Sequence, residues 1–146
     1  MTLSACMIVK NEEKDLERCL KSVRPHVDEL VIVDTGSTDR TVEIAEYYAD
    51  KLRFFEWTDD FSAARNFSMD QAEGDFILIV DADEYVVQGW QDIRKAINTP
   101  HLAVGTMTVV NTTRQQNLIA EQITQPRIFK NDPGIRYEFA VHNHGS

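Results

Sequence analysis

Residues 75–86 read DFILIVDADEYV, an apolar run that ends in a group of three carboxylates. The apolar residues Phe76 to Val80 are typical of a strand that is buried on both faces. Asp81 and Asp83 lie two positions apart, so if both continued the strand they would project from one face about 6–7 Å apart. A divalent cation such as Mg²⁺ would turn the repulsion between them into attraction. The stretch therefore predicts a buried strand with a metal site at its carboxyl end, and a solvated acidic loop is the alternative.

Apolar runs alternate with stretches of helical periodicity along the first hundred residues. Continuous apolar strands between amphipathic helices predict an α/β fold, with a mostly parallel, Rossmann-like sheet flanked by helices. Ligands of such sheets bind at the carboxyl ends of the strands. Strands are predicted at ACMIV, ELVIV, RFFEW, FILIV and VGTMTVV, and helices from a cap at Asn11 to Pro25, from a cap at Ser37 or Thr38 to Ala49, over 61–72 before Gly74, and over 90–97.

The pattern weakens after Pro100. Only QPRIF and YEFAV read as short strands there, with a turn at NDPG between them. No repeat, low-complexity tract or linker interrupts the sequence, so residues 1–146 are interpreted as one domain.

The composition excludes several classes of function. A formal net charge of -9 argues against nucleic-acid binding, which depends on clusters of Lys and Arg. The two cysteines, Cys6 and Cys19, are too few for a zinc cage or a disulfide framework, and we expect buried thiols. No apolar run approaches the ~20 residues of a membrane helix, and the N-terminal sequence lacks the features of a secretion signal. We expect a soluble, unexported protein without a transmembrane segment.

Three other loops would share the edge of the sheet with the acidic motif. The first strand leads into VKNEE and the second into VDTGSTD, where Asp34 can accept a hydrogen bond from a base N–H and Gly36 permits a tight turn. Arg65 lies in SAARNF, a small and apolar stretch of an acidic protein, so its guanidinium could grip a diphosphate. A structural ion pair of Arg65 with Asp59 or Asp60 is the alternative.

A second enzymatic interpretation also fits the acidic motif. Aspartate-nucleophile phosphohydrolases have an apolar strand that ends in Asp-x-Asp, where the first Asp attacks phosphorus. That pattern usually has Thr or Val two residues after the second Asp, where this chain has Tyr85, and it lies near the start of the chain. The phosphohydrolase therefore ranks second.

Four motifs in order resemble the family-2 glycosyltransferases. They are CMIVKNEEKDLERCLKSV, ELVIVDTGSTDRTVEIAEYYAD, FSAARNFSMDQAEGDFILIVDADE and RIFKNDPGIRYEFAVH, and they extend over nearly the whole chain. Within the family, the motifs are most similar to the bacterial branch that includes lipopolysaccharide-core β-1,4-glucosyltransferase-like enzymes.

The resemblance implies a GT-A fold, Mn²⁺ or Mg²⁺ as cofactor, and inverting transfer of a sugar from a nucleotide-diphosphate donor, with UDP as the expected nucleotide. We expect a cytoplasmic location, with the inner face of the membrane as the alternative. The matching positions assign Lys10 and Glu12 to the nucleotide, Asp34 to the base and Arg65 to the diphosphate. Asp81 and Ala82 are assigned to the donor as well. Asp81, Asp83 and His142 are assigned to the metal, and Asp83 is also assigned to catalysis.

The late motif departs from the family pattern. This branch commonly reads Val-His-Glu, whereas the chain has Asn143 in place of the acid, and Asn cannot act as a base. Glu138 is the nearest acidic substitute for the catalytic base. The chain ends at Ser146, where relatives continue, so we expect the fold to be truncated on its acceptor side or completed by association into a homo-oligomer. A catalytically silent nucleotide-sugar-binding module is therefore the alternative function, and the acceptor is a saccharide, a lipid-linked intermediate or a peptide.

Overall fold

The computed structural model of the chain describes residues 1–98, 107–112, 118–123 and 128–132. A five-stranded sheet with the order β3-β2-β1-β4-β8 forms its centre. Its first four strands are parallel and β8 is antiparallel at the edge, so the predicted α/β fold with a mostly parallel sheet is confirmed. The elements in chain order are β1 (Leu3–Val9), α1 (Leu16–Val23), β2 (Glu29–Asp34), α2 (Thr41–Tyr48), β3 (Lys51–Phe54), α3 (Phe61–Asp70), β4 (Phe76–Ile79), β5 (Glu84–Gln88), α4 (Trp90–Ile97), β6 (Met107–Thr112), β7 (Leu118–Ile123) and β8 (Ile128–Lys130), with a short 3₁₀ turn at Arg24–His26 after α1.

Each face of the central sheet buries its own apolar cluster. On one face, α1 packs its apolar stripe of Leu16, Cys19, Leu20 and Val23, as its spacing predicts, against alternate residues of the strands. On the other face, α3 contributes Met69 to a smaller cluster with strand residues. The strands are covered on both sides, which explains why their sequences are continuously apolar rather than alternating. Both cysteines are buried free thiols, as predicted.

The second sheet is antiparallel, in the order β5-β6-β7. Its strands β5 and β7 were not predicted from the sequence. β5 begins at Glu84, the last residue of the acidic motif. β7 lies in a polar tract, and its strand conformation is defined by its pairing with β6, from Thr112↔Leu118 to Met107↔Ile123. The prediction RFFEW for the third strand is also displaced, because the strand begins at Lys51 and ends at Phe54.

Two predicted helix caps are wrong. Helix α1 begins at Leu16 after Asp15, and α2 begins at Thr41 after Arg40, and neither flanking residue makes a side-chain cap. Asn11, the expected first cap, has a positive φ of 52° and lies in the preceding loop. Asn11 instead forms hydrogen bonds with Ser37 and Thr38 of the loop after β2. The predicted α3 is confirmed, with Asp60 as a cap whose carboxylate accepts a hydrogen bond from the Ala63 amide at 3.0 Å.

Among the described residues, none of the helices combines the length and the apolar character needed to cross a bilayer.

Candidate active site at the carboxyl edge of the sheet

The carboxyl ends of β2, β1 and β4 lie side by side in the sheet. Val9 is paired with Asp34 across β1 and β2, and Cys6 is paired with Ile79 across β1 and β4. Neighbouring strands are about 4.8 Å apart, so β2 and β4 lie about 10 Å apart on either side of β1, and β4 ends three residues earlier along β1 than β2 does. We call this edge the rim. The predicted convergence of the first, second and fourth strand ends is therefore present.

Hydrogen bonds join the loop after β1 to the loop after β2. The Asn11 amide donates to Ser37 Oγ at 2.9 Å, and the Asn11 side-chain oxygen accepts from the Thr38 amide at 2.8 Å. One residue further, the Glu12 amide donates to Thr41 Oγ1 at 2.7 Å. Asn11, Ser37 and Thr38, which the sequence suggested as helix caps, thus hold the two loops together.

Asp34 organises the second loop from a buried position. Its side chain is 4% exposed, and its carboxylate accepts hydrogen bonds from the Gly36 and Ser37 amides at 3.0 Å each and from Ser37 Oγ. Gly36 has a φ of 121°, which confirms that the turn uses a conformation that favours glycine. A carboxylate has about four acceptor positions, so these three bonds leave room for one donor from a ligand.

The acidic motif forms a turn rather than a continuation of β4, which ends at Ile79. The Glu84 amide donates to the Asp81 carbonyl at 3.1 Å, and the Glu84 carboxylate accepts from the Asp81 amide at 3.2 Å. Ala82 and Glu84 are buried at 5% and 3% exposure, whereas Asp83 is exposed. The two aspartates therefore do not project from one strand face. The turn buries its even positions and presents Asp83 to solvent.

Arg65 reaches the acidic turn from α3. Its Nη2 lies 2.6 Å from Asp81 Oδ1, and the Arg65 residue is 6% exposed. The predicted ion pair of Arg65 is present, but its partners were assigned wrongly, because it forms with Asp81 instead of Asp59 or Asp60, and the diphosphate role stays a prediction. Its second terminal nitrogen, Nη1, is buried without a hydrogen-bond partner in the described part of the chain. A buried N–H without an acceptor is unfavourable, so this side of the guanidinium has unused capacity to donate.

The electrostatic field at the rim is negative. Burial raises the pKa of Glu12 above its ordinary value, and the charge of Asp83 raises it further, followed by smaller contributions from Asp15, Asp39 and Asp81. The influence of Asp83 and Asp81 on Glu12 places the acidic turn near the loop after β1. A cation bound among these carboxylates would relieve their mutual repulsion.

Beneath the rim, Cys19 of α1 donates a hydrogen bond through its thiol to the Asp81 carbonyl at 3.5 Å. Burial raises the pKa of this thiol well above its usual range, and the carboxylates of Glu84, Asp81 and Asp83 raise it further. Cys19 therefore stays a neutral thiol at physiological pH and supports the turn from below.

The other predicted site residues divide into two groups. Lys10 is exposed immediately after β1, and Ala82 belongs to the apolar core beneath the turn. Glu138 and His142 lie outside the described residues. Within the described ranges, no three His, Cys, Asp or Glu side chains are arranged as a metal cage. A metal at Asp83 would thus take its remaining ligands from the donor, water or other parts of the chain, which is typical of Mg²⁺.

Sequence reasoning gave no role to Glu84 and Thr41, which shape the site. The Glu84 carboxylate closes the acidic turn by accepting a hydrogen bond from the Asp81 amide. The Thr41 hydroxyl accepts a hydrogen bond from the Glu12 amide and donates one to the Asp39 carboxylate. The signal for Glu84 was its spacing, since a Glu three residues after an Asp can accept from the backbone amide of that Asp. Thr41 had no comparable signal, because its partner Glu12 lies 29 positions away.

The chain is similar over most of its length to two bacterial proteins. A TPR repeat-containing protein of Synechococcus elongatus is 41% identical over 141 residues, which cover 96% of this chain and 34% of that protein. An uncharacterized glycosyltransferase of Rickettsia felis is 36% identical over 99 residues, covering 68% of this chain and 35% of that protein. The chain thus spans about a third of the length of these relatives.

Solved structures show the same architecture. TarS of S. aureus, crystallised as residues 1–349 with UDP, has a TM-score of 0.59 and 30% identity, and the match covers 67% of this chain and 32% of that chain. Glucosyl-3-phosphoglycerate synthase of Mycobacterium tuberculosis, in complex with Mn²⁺ and UDP-glucose, has a TM-score of 0.55 and 24% identity over 69% of this chain and 39% of that chain. The fold is GT-A, as the resemblance implied.

The family assignment rests on the whole chain rather than on the acidic motif. The model of glycosyl transferase family 2 matches residues 4–145, which include the rim, the acidic turn and the late histidine motif. This match decides against the aspartate-nucleophile phosphohydrolase, whose similarity was confined to the strand and its Asp-x-Asp. The chain belongs to glycosyl transferase family 2.

Proposed function

We propose that the domain binds a UDP-sugar together with Mn²⁺ or Mg²⁺ and transfers the sugar, with inversion, to an acceptor hydroxyl. The observation that carries the proposal is the rim itself, where the Asp34 loop, the Arg65–Asp81 pair and the exposed Asp83 share one edge of the sheet. The related TarS structure contains UDP, and the synthase of the same fold contains Mn²⁺ and UDP-glucose.

Each residue of the rim has a role that suits its environment. Asp34 has acceptor capacity for the N–H of a base, and Lys10 and Glu12 flank it at the end of β1. Arg65 supplies positive charge beside the acidic turn, which a diphosphate needs in a chain of net charge -9. Asp83 and Asp81 would hold the metal, with Ala82 packed beneath them, and His142 is proposed as a further ligand.

The rim suits a divalent metal on the evidence of its own electrostatics. Burial raises the pKa of Glu12, and the charge of Asp83 raises it further, so carboxylates repel one another beside Asp83, whose oxygens face solvent. When bound, the metal neutralises charge that develops on the departing diphosphate. The residues of the chain orient the donor through Asp34 and Arg65, which fixes the reacting sugar in one position.

Inverting transfer also requires a base that removes the proton of the acceptor hydroxyl as it attacks the sugar. Glu138 is the proposed base, since Asn143 cannot accept a proton in this way. If neither Glu138 nor another group serves, the domain would bind a donor without transferring its sugar. Released UDP distinguishes these two functions, because only an active enzyme accumulates it.

The acceptor is proposed from the resemblance alone. The resemblance to the lipopolysaccharide-core β-1,4-glucosyltransferase-like branch favours a saccharide over a lipid-linked or peptide acceptor. Such an acceptor would place the protein in the cytoplasm or at the inner face of the membrane.

Calorimetric titration of the protein with UDP, with and without Mn²⁺, tests the donor site. We expect binding that Mn²⁺ strengthens. In a separate unfolding experiment, ligand at 100 times its dissociation constant should raise the free energy of unfolding by about 2.7 kcal/mol. Asp83→Asn should remove the effect of Mn²⁺ on UDP affinity. Asp92→Asn, an exposed aspartate on α4, is the matched control because it makes the same change of charge away from the rim.

The unfolding and titration experiments also have clear negative outcomes. If UDP and UDP-sugars leave the stability of the protein unchanged in the presence and absence of metal, the proposed function is wrong. If binding occurs but Asp83→Asn and Asp92→Asn behave alike, the donor site stands and Asp83 loses its role at the metal.

A further inference from the structure

The guanidinium of Arg65 lies between a carboxylate and an aromatic ring. Its Nη2 donates to Asp81, and its Cζ lies 4.9 Å from the centroid of the Phe61 ring. A cation over the face of an aromatic ring is attracted by the negative potential of that face. Nη1 is buried without an acceptor in the described ranges, so the Phe61 ring and Asp81 are the two described groups that stabilise the charge of the guanidinium.

The ring of Phe61 is itself held in place. Phe61 is the first residue of α3, directly after the cap Asp60, and Trp57 meets its ring edge-on at a centroid distance of 6.3 Å and an angle of 82°. The Trp57 indole in turn donates to Asp59 Oδ1 at 2.9 Å, and Asp59 has a φ of 64°. The contacts therefore form one connected series that leads from Asp59 through the two rings to Arg65.

Phe61 makes little contribution to the apolar core. Its side chain is 41% exposed, and it belongs to neither of the two buried clusters. Single, partly exposed aromatic residues are common on protein surfaces, so the role of Phe61 has to be found in the contacts that it makes. Its contact with Arg65 is one of them.

We propose that Phe61 is a positioning residue, which fixes the plane of the Arg65 guanidinium so that Nη2 stays on Asp81 and the charge stays at the diphosphate position of the rim. The benefit to donor binding rests on the function proposed above. The orientation of Arg65 does not, because it is a property of the protein without ligand. An aliphatic side chain of similar size would preserve the packing and remove the attraction of the ring face.

NMR of the ligand-free protein tests the orientation directly. The ring current of Phe61 should displace the side-chain N–H resonances of Arg65 from their usual position. We expect Phe61→Leu to abolish this displacement and Phe61→Tyr to retain it. Phe54→Leu is the matched control, because Phe54 is a 63% exposed aromatic residue on β3. An Arg65 resonance that is the same in Phe61→Leu and the unaltered protein would overturn the proposal.

Titration with UDP and with uridine tests the consequence. Phe61→Leu should weaken UDP binding about three- to fivefold, as expected for the loss of a partly exposed cation–π contact, and should leave uridine binding within about twofold. Phe61→Tyr should restore UDP affinity. In a protein that already carries Arg65→Met, Phe61→Leu should have no further effect.

Two results would overturn the positioning role in donor binding. One is equal weakening by Phe61→Leu in the presence and absence of the Arg65 guanidinium, which would mean that the ring contacts the ligand itself. The other is a UDP affinity that Phe61→Leu leaves unchanged although it abolishes the displacement of the Arg65 resonance. If the unaltered protein bound no UDP at all, the donor function would fail, and the Arg65 resonance would still decide whether Phe61 positions the guanidinium.

Discussion

The two partners of the ion pair at the rim should contribute very differently to stability. Asp81→Ala leaves the Arg65 guanidinium with its side chain 7% exposed and without a described acceptor for Nη2. Opposite charges about 4 Å apart attract by about 4 kcal/mol at an effective dielectric constant of 20. The Asp81 side chain is 43% exposed, so solvent screens the pair, and we reduce the expected loss to about 2 kcal/mol of unfolding free energy.

Arg65→Met is the reciprocal change, and it should cost less than about 1 kcal/mol. It removes a buried charge together with the unpartnered Nη1, and the partly exposed carboxylate of Asp81 can turn to water. Replacing a buried charge with an apolar side chain of similar volume is often close to neutral. UDP binding should nevertheless fall by at least tenfold, because the rim loses its positive charge.

Urea unfolding followed by circular dichroism measures both variants. With a slope of about 2 kcal/mol per molar urea, the expected difference moves the midpoint by roughly 0.5 M or more between the two. Asp92→Ala, an exposed change on α4, controls for the loss of a carboxylate as such. The reasoning is refuted if Arg65→Met destabilises the protein as much as Asp81→Ala does, since the guanidinium would then be needed for packing rather than tolerated for function.

Three further changes test the loops around the rim and the base of the sheet. Gly74→Ala would place a Cβ 2.5 Å from Ser4 Oγ and 2.9 Å from the Ser4 amide nitrogen, so it should cost about 2–3 kcal/mol in urea unfolding, and a cost below about 0.5 kcal/mol would show that the backbone yields easily. Glu12→Gln should raise the thermal midpoint at pH 7 and leave it unchanged at pH 4. The raised pKa of Glu12 means that the folded state is favoured while Glu12 is protonated and loses stability as the pH rises through that pKa, so an equal effect at both pH values would contradict this reasoning. Asp34→Ala removes the acceptor of three hydrogen bonds and should increase hydrogen exchange of the Gly36 and Ser37 amides by about tenfold or more, whereas unchanged protection would mean that other contacts close the turn.

The central sheet could be predicted from the sequence because its strands are buried on both faces. Runs such as FILIV and ELVIV have no polar face, and this feature alone distinguishes a covered parallel sheet from an exposed antiparallel one. Strands β5 and β7 could not be predicted in the same way. Their strand conformation depends on pairing with β6, and the register of that pairing is not encoded in the local sequence of either strand.

The candidate site was partly predictable for a related reason. The position of Asp34 and Asp83 follows from the rule that parallel strands bring their carboxyl ends to one edge, which requires only the strand assignment. The partner of Arg65 could not be assigned, because Asp81 is 16 positions away and Asp59 and Asp60 were nearer in sequence. Helix α3 runs back along the sheet, so its first turns lie close to the end of β4, and side chains on a helix lean towards its N-terminus. Arg65 therefore reaches Asp81 at the rim, whereas the carboxylates of Asp59 and Asp60 accept hydrogen bonds from Trp57 Nε1 and the Ala63 amide.

The wrong helix caps reveal how the rim differs from an ordinary set of loops. Asn11, Ser37 and Thr38 have the residue types of caps, and local reasoning assigns them to the helices that follow. In the structure their polar atoms bond to one another across two loops, with Asn11 in a left-handed conformation that asparagine tolerates better than most residues.

This use of capping residues has a consequence for ligand binding. The loops beside Asp34 are ordered by contacts within the protein, so a nucleotide would not have to order them on binding, and the entropic cost of association would be lower on this side of the rim. Asp83 differs, because it is exposed on a turn that is closed from behind by Glu84. Asn11→Ala should therefore weaken uridine binding by loosening the loop next to Asp34, while the ratio of UDP affinities with and without Mn²⁺ stays the same. A change in that ratio would mean that the two sides of the rim are coupled and that the Asp34 loop and the acidic turn move as one unit.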